Sequence, residues 1–292
     1  MPWSMRWPIS ACGMSTCRSR PKSCGASSAP PRPEESAMAL ALLDKPEAGI
    51  WRISLNQPER RNPIGQAVRE AVTPLWLEAL AEDGCRAIVL TGAGGTFCAG
   101  GDIATMGRTE PAAARKRMKK GHHFTRLLYE SEKPVVAAVE GHAVGAGAGL
   151  ALLCDTVVMG QGAKFGIPFF KLGLVPDFGL LYTLPRRIGS GPAKQLLLHG
   201  RMIGADEALA LGVVDRVVPD DQVQAAALEE ARSLAQHPPF AMAVAKRLID
   251  TMPGSLDQAL EMEANAQAMC FAGPDVEEGV AAFKEKRKPR FK

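Results

Sequence analysis

Apolar and polar positions alternate along residues 50–55, IWRISL, which is typical of a half-buried strand. The apolar periodicity of residues 66–80, after the Asn62-Pro63 pair, predicts an amphipathic helix. Short segments rich in apolar residues predict strands at residues 86–91, 134–139, 156–159 and 211–218, of which the first two are expected to be buried. Further helical patterns cover residues 111–129 and the chain from residue 221 onward, with breaks at Pro238-Pro239 and Pro253-Gly254. This alternation predicts an α/β fold with a C-terminal helical appendage.

The composition fits an ordinary soluble enzyme, since 46% of the 292 residues are hydrophobic and 23% are charged. No apolar run reaches the roughly 18 residues that a membrane-spanning helix needs, so we expect no membrane partner. The net charge is +4, and residues 1–37 hold five basic against two acidic side chains. The rest is therefore nearly neutral, which argues against nucleic acid as a partner.

Cysteine and histidine spacing predicts no metal site. The seven cysteines include no C-x-x-C pair, and the five histidines lack the spacing of metal ligands. Scattered cysteines without a secretion signal are typical of the reducing cytoplasm, where we expect the protein to reside.

The N-terminal 37 residues form a separate segment in composition, rich in Ser, Pro, Arg and Cys and without apolar periodicity. Such a segment buries too little apolar surface to order itself. We interpret it as a disordered tail or as the product of an upstream start codon, with Met38 as the native start; an organelle transit peptide is the alternative. The predicted organisation is this tail, a core over residues 38–235 and a helical region over 236–292.

Two glycine-rich segments, TFCAGGDI (96–103) and GHAVGAGAG (141–149), each follow a predicted buried strand. Small residues let a ligand approach the backbone closely, and the second segment opens a predicted buried helix over residues 146–153. Two backbone N–H groups that converge on one oxygen would form an oxyanion hole. The alternative is that these glycines serve only as tight packing turns. Neither segment completes a dinucleotide fingerprint or a phosphate-binding loop.

Several motifs in order make the chain, from about residue 39 onward, resemble the crotonase (enoyl-CoA hydratase/isomerase) superfamily. They are ISLNQPERRNPI (53–64), IVLTGAGGTFCAGGDI (88–103), KPVVAAVEGHAVGAGAGLALLCD (133–155) and FKLGLVPDFG (170–179). The resemblance implies a spiral of ββα units with a C-terminal helical trimerisation region, and a homotrimer or a dimer of trimers. It also implies an acyl-CoA thioester substrate whose carbonyl oxygen is held by the backbone N–H groups of Ala99 and Ala146. Coenzyme A, as part of the substrate, would lie near Arg60, Ala99, Gly100, Gly101, Asp102 and Ile103, and no separate cofactor is implied.

Two glutamates that family hydratases use are missing here. The resemblance places them at Gly149 and Phe169, which can neither activate water nor deliver a proton. One carboxylate remains nearby, Asp177, where isomerases of the family carry Asp or Glu. A single carboxylate suffices for a 1,3-proton shift, so we expect an enoyl-CoA isomerase with Asp177 as the catalytic residue and a raised carboxyl pKa among apolar neighbours.

The alternatives remain open at this level. Asp177 in a Pro-Asp-x-Gly sequence is also typical of a purely local turn. Hydration, ring isomerisation, hydrolysis or another crotonase reaction is the competing activity. A non-catalytic acyl-CoA-binding subunit is the competing class of protein.

Overall fold

A six-stranded sheet forms the centre of the structure, a computed structural model that describes residues 39–291. The predictions for residues 1–37 fall outside these described residues. The strands are β1 (Ala41–Glu47), β2 (Ile50–Leu55), β3 (Ala87–Gly92), β4 (Val135–Val139), β6 (Thr156–Gly160) and β9 (Arg216–Val218), in the order β1-β2-β3-β4-β6-β9. Strand β1 is antiparallel to β2, and the other neighbours are parallel.

Three short strands make a second sheet in the order β5-β7-β8. They are β5 (His142–Val144), β7 (Lys164–Gly166) and β8 (Met202–Gly204). The sequence pattern did not predict them, because three residues are too few to show a periodicity.

Helices cover both faces of the larger sheet and form the C-terminal region. They are α1 (Gln66–Ala81), α2 (Pro111–Tyr129), α3 (Ala146–Leu152), α4 (Leu180–Ile188), α5 (Ser190–His199), α6 (Ala205–Ala210), α7 (Val223–Ala235), α8 (Pro239–Thr251), α9 (Leu256–Ala272) and α10 (Asp275–Lys284). The predicted helices over residues 66–80, 111–129 and 146–153 are confirmed within one residue at each end. In the described part of the chain, no helix combines the length and apolar character needed to cross a membrane.

The continuous apolar runs of the central strands are explained by burial on both sides. In β3, Ile88 and Leu90 pack in one core together with Trp76 of α1. Val89 points into a second core with residues of α7, among them Ala227. A strand that is buried on both faces has apolar residues at nearly every position, and the sequence of β3 follows this pattern.

The strand predicted over residues 211–218 is wrong for most of its length. Helix α6 ends near Leu211, and Gly212 then adopts a left-handed conformation with φ +77°. Val213 and Val214 are buried, but only residues 216–218 pair in the sheet. Burial alone produced the apolar run here. The fold is otherwise the expected α/β arrangement, with helices at its C-terminus.

Candidate active site

The first glycine-rich segment leaves the end of β3 and is held by a buried asparagine. The Asn62 side chain accepts from the Gln57 N–H at 2.8 Å and donates to the carbonyl oxygens of Ala93 and Thr96. Asn62 itself has φ +54°, a conformation that asparagine tolerates better than most residues. This clamp fixes where the segment after β3 runs.

The two glycine-rich segments are bonded to each other. The Cys98 N–H donates to the His142 carbonyl oxygen at 2.8 Å, and the Val144 N–H donates to that of Cys98 at 3.0 Å. A Cβ atom on Gly147 would lie 2.1 Å from the Cys98 oxygen, so only glycine fits at this crossing. Gly147 therefore does serve the tight packing that the sequence suggested. This close crossing brings the segment around Ala99 beside the start of α3.

The amide of Ala99 is already engaged, which corrects its expected role as a free donor. Its N–H donates to the Arg61 carbonyl oxygen at 2.9 Å. In the described residues, the N–H groups of Gly101 and Ala146 have no hydrogen-bond acceptor. Gly101 lines an open cleft, and Ala146 is the first residue of α3. Each of the two segments thus has a free donor, Gly101 in the first and Ala146 in the second.

That open cleft collects most of the predicted coenzyme A-binding residues. Its lining consists of Arg60, Pro63, Ala99, Gly101, Asp102, Ile103 and Ala104. Gly100 is the exception, since it is buried and its carbonyl oxygen accepts from the Ile64 N–H at 2.8 Å.

The Asp102 carboxylate has a structural role in the cleft. Its carboxylate forms a 2.6 Å salt bridge with Arg60 and also accepts from the Ala104 N–H. A paired, loop-capping carboxylate of this kind is a poor candidate for the proton-transfer group.

Asp177 lies in a strained turn between the short 3-10 helix Phe169–Leu172 and α4. The next two residues, Phe178 and Gly179, both have positive φ, +51° and +78°. A bulky aromatic residue rarely adopts this conformation, which costs about 1–3 kcal/mol. The Pro-Asp-x-Gly sequence thus does form a local turn. An ordinary turn would not require a phenylalanine to adopt a strained backbone conformation.

The carboxyl group of Asp177 is the unusual polar group of the site. Its Oδ1 atom is buried and has no hydrogen-bond partner among the described residues. Burial raises the pKa of this carboxyl to about 6, although Arg69 acts in the opposite direction. A carboxyl group with such a pKa both accepts and returns a proton near neutral pH.

The positions of the two missing glutamates are filled by aromatic packing. A Cβ atom on Gly149 would lie 2.5 Å from Cβ of Phe178 and 3.4 Å from the Asp177 carbonyl oxygen. Phe169 is buried, and its ring lies 3.8 Å from the place of a Cβ on Gly145. The space that a second carboxylate would need beside α3 is therefore occupied by Phe178.

Sequence reasoning missed Arg69, which interacts electrostatically with Asp177. It is half-buried on α1, next to the buried stripe of Val68, Val72 and Trp76. The feature of the sequence that could have identified Arg69 is its place at the edge of the apolar face of a predicted helix.

Other reactive side chains near the site are occupied or inert. Burial raises the pKa of the Cys98 thiol to about 12, so this cysteine is no nucleophile at neutral pH. The Glu140 carboxylate accepts a hydrogen bond from the Gln224 side chain at 2.7 Å. Within residues 39–291, no three His, Cys, Asp or Glu side chains come together as metal ligands.

Comparison with known proteins gives consistent matches. The family model described as Enoyl-CoA hydratase/isomerase matches residues 45–292. The chain is 36% identical to 1,2-epoxyphenylacetyl-CoA isomerase of Escherichia coli, over 86% of this chain and 97% of that one. It is also 36% identical to crotonyl-CoA hydratase of Syntrophomonas wolfei, over 86% and 96%. The structure of enoyl-CoA hydratase from Bacillus anthracis superposes with a TM-score of 0.82 at 32% identity, covering 87% of this chain and 99% of that one.

Proposed function

The chain belongs to the enoyl-CoA hydratase/isomerase family, and from that membership we propose that it shifts a carbon–carbon double bond within an enoyl-CoA thioester. The observation that carries the proposal is the buried Oδ1 atom of Asp177, which has no partner in the described chain, in a sequence with no glutamate at positions 149 and 169.

The thioester end of the substrate would be held by backbone groups. Its carbonyl oxygen accepts from the N–H groups of Gly101 and Ala146, which have no acceptor of their own in the described chain. Losing one donor of such a pair costs about 100–1,000-fold in rate. Ala99 contributes to the wall of the cleft, and Arg60 and Asp102 contribute to the part that receives coenzyme A.

At the acyl end, Asp177 would act as the base and then as the acid. Its carboxylate removes a proton from the carbon between the carbonyl and the double bond of a 3-enoyl thioester. The resulting dienolate keeps its charge on the oxygen held by the two amides. Asp177 then returns the proton to the far carbon of the former double bond, which leaves a 2-enoyl thioester. The step is redox-neutral and uses no cofactor beyond the coenzyme A of the substrate.

Hydration fits these side chains poorly, although relatives such as the Syntrophomonas protein are named as hydratases. Adding water requires one group that activates the water and one that delivers a proton. Gly149 and Phe169 supply neither, and Phe178 fills the space beside Gly149.

The test compares two reactions of the purified protein, isomerisation of a 3-enoyl-CoA and hydration of crotonyl-CoA. We expect isomerisation without efficient hydration, and a loss of about 100- to 10,000-fold in isomerisation for Asp177→Asn, because the proton carrier is gone. Asp221→Asn, at an exposed aspartate, is the matched control and should retain full activity. Undiminished isomerisation in Asp177→Asn, or robust hydration by the wild type, would contradict the proposal.

Ring isomerisation is the second candidate, because the Escherichia coli relative is named an epoxyphenylacetyl-CoA isomerase. The same carboxylate would serve it, and the buried rings of Phe169 and Phe178 would be the aromatic neighbours of the substrate ring. Preferential turnover of an epoxidised aryl-CoA ester over 3-enoyl-CoA would favour it. Tight binding of both esters without turnover would favour the non-catalytic acyl-CoA-binding alternative.

We also propose that the chain assembles as a homotrimer or a dimer of trimers. The C-terminal helices expose large apolar side chains, including Phe240, Ile249, Leu256, Phe271 and Phe283. Large apolar side chains exposed along consecutive helices are the kind of surface that a contact between protein chains would cover. Light scattering on the purified protein would reveal a monomer if the proposal is wrong.

A further inference from the structure

The guanidinium group of Arg69 lies between two helices and the turn that carries Asp177. Its central carbon is 5.9 Å from the centroid of the Phe178 ring. On the side of α2, it lies 3.8 Å from the point where a Cβ atom on Gly121 would stand. Arg69 thus extends from α1 to the acyl end of the site.

This guanidinium lacks the partners that a half-buried arginine normally has. In the described part of the chain, it makes neither a hydrogen bond nor a salt bridge within 4.0 Å. The neighbouring Glu70 instead pairs with Lys120 at 2.7 Å. Buried charges are ordinarily paired, so the lack of a close partner here is unusual.

The Arg69 guanidinium therefore reaches the turn that carries Asp177, and each of the two groups lacks a close partner in the described chain. They interact electrostatically without closing into a salt bridge. The elements packed against the turn that carries Asp177 contribute Gly149 from α3 and Arg69 from α1, which lies over the Phe178 ring. Arg117 of α2 is exposed and acts on Arg69, and Arg69 is the charge that acts on Asp177 among the described residues.

We propose that Arg69 is a positioning residue for the proton shuttle. Its guanidinium stabilises the charged form of the Asp177 carboxylate from a distance, without forming a salt bridge with it. A base must be ionised to accept a proton, and burial by itself favours the neutral acid. A direct salt bridge would stabilise the carboxylate too strongly for efficient proton transfer. A positive charge at a greater distance offsets only part of the free-energy cost of burying the carboxylate. The catalytic part of this inference rests on the role proposed for Asp177.

The experiment measures kcat/KM for 3-enoyl-CoA against pH in Arg69→Met, Arg69→Lys and the wild type. Without the cation, the pKa of Asp177 should rise, and the acidic limb of the profile should move up by about one pH unit. Arg69→Met should lose about tenfold in kcat/KM at low pH and recover to within about threefold of wild type at pH 9. Arg69→Lys keeps the charge and should hold the limb near its wild-type position. Arg115→Met, at an exposed arginine of α2, is the matched control and should not move the limb.

A second measurement does not depend on turnover. Carbon-13 NMR of labelled aspartate carboxyls, with Asp177→Asn for assignment, follows the titration of Asp177 directly. A higher titration midpoint in Arg69→Met, together with a shifted rate profile, supports the proposal. An unchanged midpoint overturns it, and so does a loss of rate that is equal at all pH values, because that pattern indicates a structural role. If Asp177→Asn keeps its activity, the proposed function fails, while the NMR titration still decides whether Arg69 controls the charge of Asp177.

Discussion

The thioester end and the acyl end of the site are built in different ways. At the thioester end, backbone groups do the binding, and the two glycine-rich segments are locked together by hydrogen bonds through Cys98. At the acyl end, the polar groups are the side chains of Asp177 and Arg69, and neither has a close partner in the described chain. The first end is held by backbone hydrogen bonds and leaves backbone N–H groups free, whereas the second leaves charged side chains free for a reacting group.

The difference also has an energetic side. Close crossings at the thioester end, such as Gly147 against Cys98, leave no room for a side chain but involve little strain. The acyl end contains a phenylalanine with φ +51° and a carboxyl group whose buried Oδ1 atom has no hydrogen-bond partner among the described residues. Both features cost stability, as expected where a site is organised for chemistry. Three substitutions test this contrast.

The largest effect is expected from Gly147→Ala at the thioester end. The added Cβ would meet the Cys98 carbonyl oxygen at 2.1 Å, so the two segments must separate. We expect a loss of at least ~2 kcal/mol in the free energy of unfolding, measured with urea, and a loss of activity. Gly191→Ala in α5 is the control, since nothing lies within 4 Å of its Cβ and alanine favours a helix. Equal stability of the two variants would show that the crossing is not rigid.

At the acyl end, Asp177→Asn should stabilise the protein while it removes activity. The Asp177 carboxyl has a pKa of about 6 in the folded state against 3.8 ordinarily. The unfolded chain therefore ionises first, and the wild type loses stability as the pH rises from about 4 to about 6. Asparagine does not ionise, so the variant should match the wild type near pH 4 and exceed it by about 2 kcal/mol at pH 8.

Urea unfolding at several pH values measures this difference. Asp221→Asn, at an exposed residue, is the control and should follow the wild type throughout. A stability difference between Asp177→Asn and the wild type that does not vary with pH would mean that the Asp177 carboxyl is not destabilised by burial.

The smallest effect is expected from Arg60→Met in the cleft. Its salt bridge with Asp102 is partly exposed, and such pairs contribute about 0–1 kcal/mol. We expect KM for the CoA thioester to rise by about three- to tenfold with kcat nearly unchanged, because ground-state binding alone is weakened. Arg201→Met, which removes the partner of Glu207 outside the cleft lining, should leave both constants as they are. A change in kcat alone would place Arg60 in the chemical step instead.

Local periodicity predicted the longer elements well. Strand β2 and helices α1 and α2 lie where the pattern placed them, because one face of each is buried and the repeat of 2 or 3.6 residues is visible. The pattern failed at residues 211–215, where Val213 and Val214 are buried without pairing in a strand. It also missed β7 and β8, whose pairing is set by residues about 40 positions apart.

The sequence by itself determined which chemical groups the site contains: two glycine-rich segments, no glutamate at positions 149 and 169, and one aspartate at 177. Only the tertiary structure decided how these groups are used. Arg61 occupies the amide of Ala99, Phe178 fills the space at Gly149, and Arg69 approaches Asp177 from another helix. Residue type and spacing are local properties of the chain. Whether a donor is free or a carboxyl buried depends on segments that meet only after folding.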